Sequence, residues 1–268
     1  PRFQRIARFA PLIGLFIGFV QSFFWLLLKY FNWPNLSSAL ISIAISIFIT
    51  GGLHIDGLMD TADGIGAGPS KRLEAIKDSR VGAIGIQSLV IILILQIAAI
   101  IKLGFYAPFA FPLAAFWGRV SQIFAIGNYK YIFKNESGSI HKKNWKGISN
   151  EIKPTLIIIC LGIIFFLFST NINLSNILLL IYFILSGLIT AILIPYFINK
   201  SLGGQNGDSY GAGLVITETT NLLILSIILI PNLINKSLGG HSGDSYGASL
   251  VITETTNLLL LSIILAPS

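Results

Sequence analysis

The sequence predicts an all-α fold, a polytopic integral membrane bundle of about seven to eight transmembrane helices. Three observations carry that prediction. Of 268 residues, 54% are hydrophobic and only 11% charged, with a mean hydropathy of +0.80, a composition typical of chains that face lipid. Eight apolar runs approach or exceed the length needed to cross a hydrocarbon core of roughly 30 Å. None shows the strict alternation of a lipid-facing barrel strand, and amides in lipid must be paired within the segment, so the runs are read as helices.

Arg2, Arg5 and Arg8 precede the first run, Phe9–Leu28. The chain opens on Pro1 rather than Met, which points to an incomplete N-terminus. No small-residue cleavage site follows Tyr30-Phe31-Asn32-Trp33-Pro34, so the run is read as a retained helix rather than a signal peptide. A turn at Asn32–Asn35, free of basic residues, leads into the second run, Leu36–Leu53.

That run ends in His54-Ile55-Asp56-Gly57-Leu58-Met59-Asp60-Thr61-Ala62-Asp63-Gly64. On a continuous helix Asp56, Asp60 and Asp63 fall within an arc of roughly 60°, so three carboxylates share one face. A divalent cation would relieve their repulsion, and an oxygen-only donor set suits Mg²⁺ better than zinc. Gly57 and Gly64 leave room for a phosphate or metal to approach the backbone. The plain alternative is a polar helix end with its acids solvated. On the same helix His54 would point away from the three acids, so it can act as a general base only if the helix begins after it.

The next loop carries Lys71, Arg72, Glu74, Lys77, Asp78, Ser79 and Arg80, then Gly82 and Gly85. Glu74 and Asp78 have the spacing to share a helix face, and Lys77 and Arg80 are cations a polyphosphate would need; a salt-bridged connecting helix is the plain alternative. The third and fourth runs are Ile84–Phe105 and Ala107–Ile126. Lys102 near the far end of one is read as snorkelling. Arg119 lies deep in the other, where a charge needs a phosphate, a carboxylate or a route to the headgroups. A loop with Lys130, Lys134, Lys142, Lys143, Lys146 and Lys153 leads to the fifth and shortest run, Thr155–Thr170, which holds the single cysteine, Cys160. One cysteine allows no intramolecular disulfide.

After the turn Asn171–Asn173 comes the sixth run, Leu174–Ile198. Residues 199–231 then recur as residues 235–267, identical at all but five of 33 positions. Each copy has a glycine-rich loop followed by an apolar run. The first loop holds Gly203, Gly204, Gly207 and Asp208 before Leu214–Ile230; the second, Gly239–Ala248, precedes Leu250–Ala266. Such a loop entering a helix can wrap a phosphate with backbone amides. Two copies do not make a solenoid. One span between the loops puts them on opposite sides of the membrane, so function is assigned to Gly203–Ala212 with Glu218. The copy with Glu254 is read as non-participating, and the catalytic domain as residues 1–231.

The three basic clusters all fall on one side of this topology, which the positive-inside rule makes cytoplasmic, so the acidic cluster faces the cytoplasm. The net charge of +7 is explained by topology and anionic headgroups in the lipid bilayer, and no nucleic-acid partner is called for.

Three motifs together resemble one family: His-x-Asp-Gly-Leu-x-Asp-Thr-x-Asp-Gly at 54–64, Lys-Asp-Ser-Arg-Val-Gly-x-x-Gly at 77–85, and Gly-Gly-x-x-Gly-Asp-x-x-Gly-Ala at 203–212. The chain resembles cobalamin synthase, adenosylcobinamide-GDP ribazoletransferase, from about Arg2 to about Pro231. Asn206 stands where that family's pattern leads one to expect threonine. The resemblance implies a late step of cobalamin (vitamin B12) assembly at the cell's inner membrane. The hydroxyl of α-ribazole, or of its 5′-phosphate, would attack the cobinamide-linked phosphorus of adenosylcobinamide-GDP and expel GMP, with Mg²⁺. It implies a catalytic set of His54, Asp56, Asp60 and Asp63, the three acids holding metal, and a substrate-binding set of Lys77, Asp78, Arg80, Arg119, Gly203, Gly204, Gly207 and Asp208. A CDP-alcohol lipid phosphotransferase would use similar metal logic, but its signature continues to an Ala-Arg pair with wider aspartate spacing. A cation-coupled transporter would place its acids at mid-span. The pattern leaves homo-oligomerisation open.

Overall fold

The computed structural model describes residues 5–133, 138–169 and 174–238. After a short 3₁₀ turn the chain forms α1 (Ala10–Tyr30), α2 (Asn35–Ile49), α3 (Leu53–Gly66), α4 (Arg72–Lys77), α5 (Ala83–Leu103), α6 (Ala107–Asn128), α7 (Ser139–Lys143), α8 (Ile148–Glu151), α9 (Lys153–Ser169), α10 (Leu174–Leu202) and α11 (Gly207–Leu238).

Helix α1 starts with Pro11 in its first turn, where no amide is missed, and buries Gly14, Ile17, Gly18, Gln21 and Trp25 at helical spacing. Gly14 and Gly18, one turn apart, lie flush against the α6 backbone at Ala115 and Pro112. In lipid, where apolar side chains gain nothing by leaving solvent, such close contact between small residues is what joins helices. The opposite face of α1 presents Phe16, Phe19 and Phe23, all exposed, as lipid-facing residues should be. Trp25 meets Phe111 of α6 edge to face at 6.0 Å.

Helix α6 is the hub, with α1, α10 and α11 packed around it. Beside it α11 is the most enclosed span and the most polar: Thr217, Thr219, Thr220, Asn221 and Ser226 are all buried. Their hydroxyls bond back to their own helix, as Thr217 Oγ1 does to the Gly213 carbonyl at 2.6 Å, and the Asn221 amide donates to Thr190 Oγ1 of α10 at 2.9 Å. A helix this polar is stable at membrane depth only where neighbours cover it, which α3, α5, α6 and α10 do.

By length and apolarity, four helical stretches among the described residues can cross a membrane: Ile6–Tyr30, Ala83–Asn128, Leu180–Leu202 and Gly207–Ile227. The sequence led to a larger number, and the runs account for the difference. The third and fourth fall in the stretch Ala83–Asn128, which breaks at Gly104 into α5 and α6; Gln96 of α5 reaches Thr219 and Arg119 of α6 reaches Glu218, neighbours on α11, so the two helices fold back on each other and each is long enough for a crossing of its own. The fifth becomes the shorter helix α9, and the eighth lies, with the second repeat copy from Gly239 on, outside the described residues. The second stops at Ile49. Gly51 (φ +62°) and Gly52 (φ +73°) then turn the chain so that α3 leaves α2 at 89°. Left-handed φ at two successive positions is costly for any side chain but glycine. The domain end expected at residue 231 falls inside α11, which continues to Leu238.

Gly57 on α3 is a further flush contact. A Cβ there would stand 2.6 Å from the Asp208 carbonyl oxygen. Gly57→Val should lower thermal stability in detergent by about 1–3 kcal/mol, the usual cost of overpacking. Gly162→Ala, where nothing lies within 4 Å, should leave it unchanged or slightly raised. Scanning fluorimetry on the two variants checks this.

Candidate active site at the crossing of the acidic helix and the glycine-loop helix

Helix α3 begins at Leu53, so His54 and the three acids share one continuous helix and occupy opposite faces. The helix is laid antiparallel against the start of α11. Gly57 meets the Asp208 backbone, and a Cβ on Gly211 would meet the His54 backbone at 3.2 Å. This brings Asp208 to the acidic face, where the charges of Asp56, Asp208 and Asp63 all act on Asp60.

The loop before α11 is built to hold that crossing. Asn206 caps the helix reciprocally: its side-chain oxygen accepts from the Ser209 amide at 2.9 Å, and its own amide donates to Ser209 Oγ at 2.8 Å. Its side-chain NH₂ donates to Asp208 at 2.8 Å. Asparagine is as good an N-cap as the threonine expected there, so the departure keeps the local structure intact. Gln205 is fully buried and anchors the loop to the Pro195 carbonyl of α10 at 3.0 Å.

Asp63 has a particular task. Its two oxygens accept hydrogen bonds from the Gly82 and Gly85 amides, each at 2.8 Å, at the start of α5. Side chains at either glycine would collide with the carboxylate, which explains why the second motif has glycines there. Helix α4 ends at Lys77 and Asp78 is extended, so Asp78 does not share a helix face with Glu74. Instead Asp78 grips Arg80 through both carboxylate oxygens, with Nη2 at 2.6 Å from Oδ2. Those side-chain hydrogen bonds, with one from the Arg80 amide, hold the Asp78 carboxyl down to about 2, so the pair stays ionised at neutral pH. Lys77 lies over the Phe133 ring, its Nζ 4.1 Å from the centroid.

Arg119 pairs with Glu218 of α11 at 3.2 Å, both side chains largely buried. Gly118 leaves the space Glu218 occupies. With His54, Gln21, Thr50 and Gln96 they supply the polar part of the lining of a small, otherwise apolar cavity of about 40 Å³ on the side of α3 away from the acids. The structure thus brings Asp56, Asp63 and Asp208 within electrostatic reach of Asp60, and groups His54, Arg119 and Glu218 around the cavity on the other side of α3.

Sequence reasoning missed one part. Residues 130–133 run beside the glycine loop: the Ile132 amide donates to the Gln205 carbonyl at 2.8 Å and the Gln205 amide to the Lys130 carbonyl at 2.9 Å. Its only signal was a short aromatic stretch after α6.

The cobalamin-5-phosphate synthase family model matches residues 1–226. The chain belongs to this family. It is 51% identical over 228 residues, 85% of this chain and 88% of the relative, to a protein of Prochlorococcus marinus strain SARG named adenosylcobinamide-GDP ribazoletransferase. Relatives of the same name in Prochlorococcus marinus strain MIT 9303 and in Trichormus variabilis are 42% and 34% identical over 229 and 226 residues, covering 85% and 84% of this chain and 88% of each relative. No solved structure matches. The family is the one the three motifs resemble. Its matched region holds all three motifs with Asp208 and Glu218, and stops before the second repeat copy.

Among the described residues, no three His, Cys, Asp or Glu side chains are already gathered as a ligand set. That arrangement does not fit a closed all-protein metal cage. Mg²⁺ in enzymes takes one or two carboxylates, keeps several waters and completes its shell with substrate phosphate, so it needs no such cage. Asp56, Asp60 and Asp208 are oxygen donors of that kind, Asp208 also accepting from the Asn206 side chain, and the Asp63 oxygens serve two amides.

Asp63→Asn leaves one carbonyl oxygen for two amides and places an NH₂ against the other. Amide exchange across residues 80–86, followed by mass spectrometry, should accelerate by about tenfold or more, as expected for losing a hydrogen bond to a charged acceptor worth about 1.5–3 kcal/mol.

Proposed function

We propose that this chain joins adenosylcobinamide-GDP to α-ribazole, or to α-ribazole 5′-phosphate, giving adenosylcobalamin or its 5′-phosphate and GMP. The reaction would run at the cytoplasmic face of the cell's inner membrane, with Mg²⁺. The observation that carries the reading is the set of acids drawn from two helices around Asp60, beside a helix N-terminus and a cationic loop.

Four carboxylates by themselves would repel a diphosphate. They suit one only with a divalent cation between, and Asp56, Asp60 and Asp208 would hold it. Mg²⁺ supplies neutralisation of the charge on the diphosphate and on the departing GMP. The protein's own part is positioning. Asp208 lies in the first turn of α11, where the helix dipole favours a phosphate. Lys77 offers an ammonium at the rim, and Asp63 fixes the turn that follows the cationic loop.

In the reaction the ribazole hydroxyl oxygen forms a bond to the cobinamide-linked phosphorus, the bond to the bridging oxygen breaks, and GMP leaves with that oxygen while the hydroxyl proton is released. His54 and Arg119 line the cavity on the other face of α3, so this reading gives them no contact with the reacting atoms. They secure the crossing that carries Asp208. The basic clusters on the loops at one end of the bundle support the cytoplasmic orientation.

GMP release from adenosylcobinamide-GDP plus α-ribazole, measured on the protein in liposomes, tests the proposal. Wild type should turn over with Mg²⁺ and stop with EDTA, and Asp60→Asn should lose at least about a hundredfold in kcat. Release that ignores EDTA, or an Asp60→Asn variant of full activity, overturns it.

A further inference from the structure

We infer that Lys130–Phe133 is a strap that holds the glycine loop and the cationic loop in register, with Phe133 as the positioning residue for Lys77. This rests on the proposed function. The strap follows α6 directly and makes two kinds of attachment. Its backbone forms a two-bond bridge with Gln205, one residue before the Asn206 cap and three before Asp208. Gly204 lies flush on it, since a Cβ there would meet the Lys130 carbonyl oxygen at 3.1 Å. Tyr131 adds a ring contact to Tyr210 on the first turn of α11, centroids 5.9 Å apart. Ile132 and Phe133 pack on the core that joins Leu58 of α3, Ile76 of α4 and Ala212 of α11. The strap therefore contacts the glycine loop, the first turn of α11 and Lys77, and packs on the core that α3, α4 and α11 share.

The second attachment is the Phe133 ring beneath the Lys77 ammonium, 4.1 Å from its centroid. The choice of partner matters. Arg80 is tied to a carboxylate, which fixes it but cancels its charge locally. Lys77 forms no ion pair among the described residues, and a ring restrains an ammonium while leaving its charge for an incoming phosphate. Sequence separation hides this: Lys77 and Phe133 are 56 residues apart.

The test is a double-mutant cycle on GMP release. Phe133→Leu should raise KM for adenosylcobinamide-GDP about two- to fivefold with kcat nearly unchanged, the range expected for a partly exposed cation–π contact. Phe133→Trp should restore it, and Phe133→Leu should add nothing in a Lys77→Met background. A Phe133→Leu effect of the same size with Lys77 absent means that the ring only packs, and overturns the assignment. A second readout needs no catalysis. The rate at which an amine-reactive ester acylates Lys77, followed by mass spectrometry, should rise in Phe133→Leu and stay near wild type in Phe133→Trp. If wild type releases no GMP the proposed function falls, and this rate alone decides the strap: equal rates in wild type and Phe133→Leu overturn it.

Discussion

Where α3 crosses the first turns of α11, Gly57 faces the Asp208 backbone and Gly211 faces His54, so two helix backbones touch with no side chain between them. A methyl group at Gly57 would collide with the Asp208 backbone and push the helices apart, and one at Gly211 would leave a tight contact. The acidic face alone is three charges on one helix. With α11 against it, a fourth carboxylate and a helix N-terminus arrive at the same place. The Gly51-Gly52 turn, the Asn206 cap and the Gln205 anchor all act to keep that crossing in position.

The bundle around it is arranged for lipid rather than water. Large apolar side chains such as Phe16, Phe23 and Phe165 face outward, while serines, threonines and the Arg119–Glu218 pair are turned in. Glu218 and Arg119 each make the other tolerable at that depth, since either alone would leave an uncompensated charge away from water. Their position on α6 and α11 also joins the hub helix to the helix that bears Asp208. Toward one end of the bundle, Lys142 donates to the final carbonyls of α6 and Arg5 pairs with Glu151 at 2.6 Å, tying the loops there to the helix ends.

Much of this was legible in the sequence because it is local. Helical periodicity alone put Asp56, Asp60 and Asp63 on one face and His54 on the other. The apolar runs announced a membrane bundle, and the glycine-rich stretch marked the entry to α11. What could not be read depends on contacts distant in sequence. Nothing around Asp63 says that its oxygens serve amides 19 and 22 residues later. Nothing around Arg119 names Glu218, 99 residues on, as the partner. The sharp bend between α2 and α3 was hidden because hydropathy does not register φ, and so the second run was read as continuing to Leu53. Residues 130–133 carry no motif at all, since a backbone bridge is blind to side-chain identity.

The central claim is that Asp60 of α3 and Asp208 of α11 act as one site, and kcat for GMP release in Asp60→Asn, Asp208→Asn and the double variant tests it most directly. If the two carboxylates serve a single charge-balanced centre, either loss disables it, and the double variant should be little worse than the poorer single variant. Losses that multiply would mean that the two acids work independently, and would contradict the site described here.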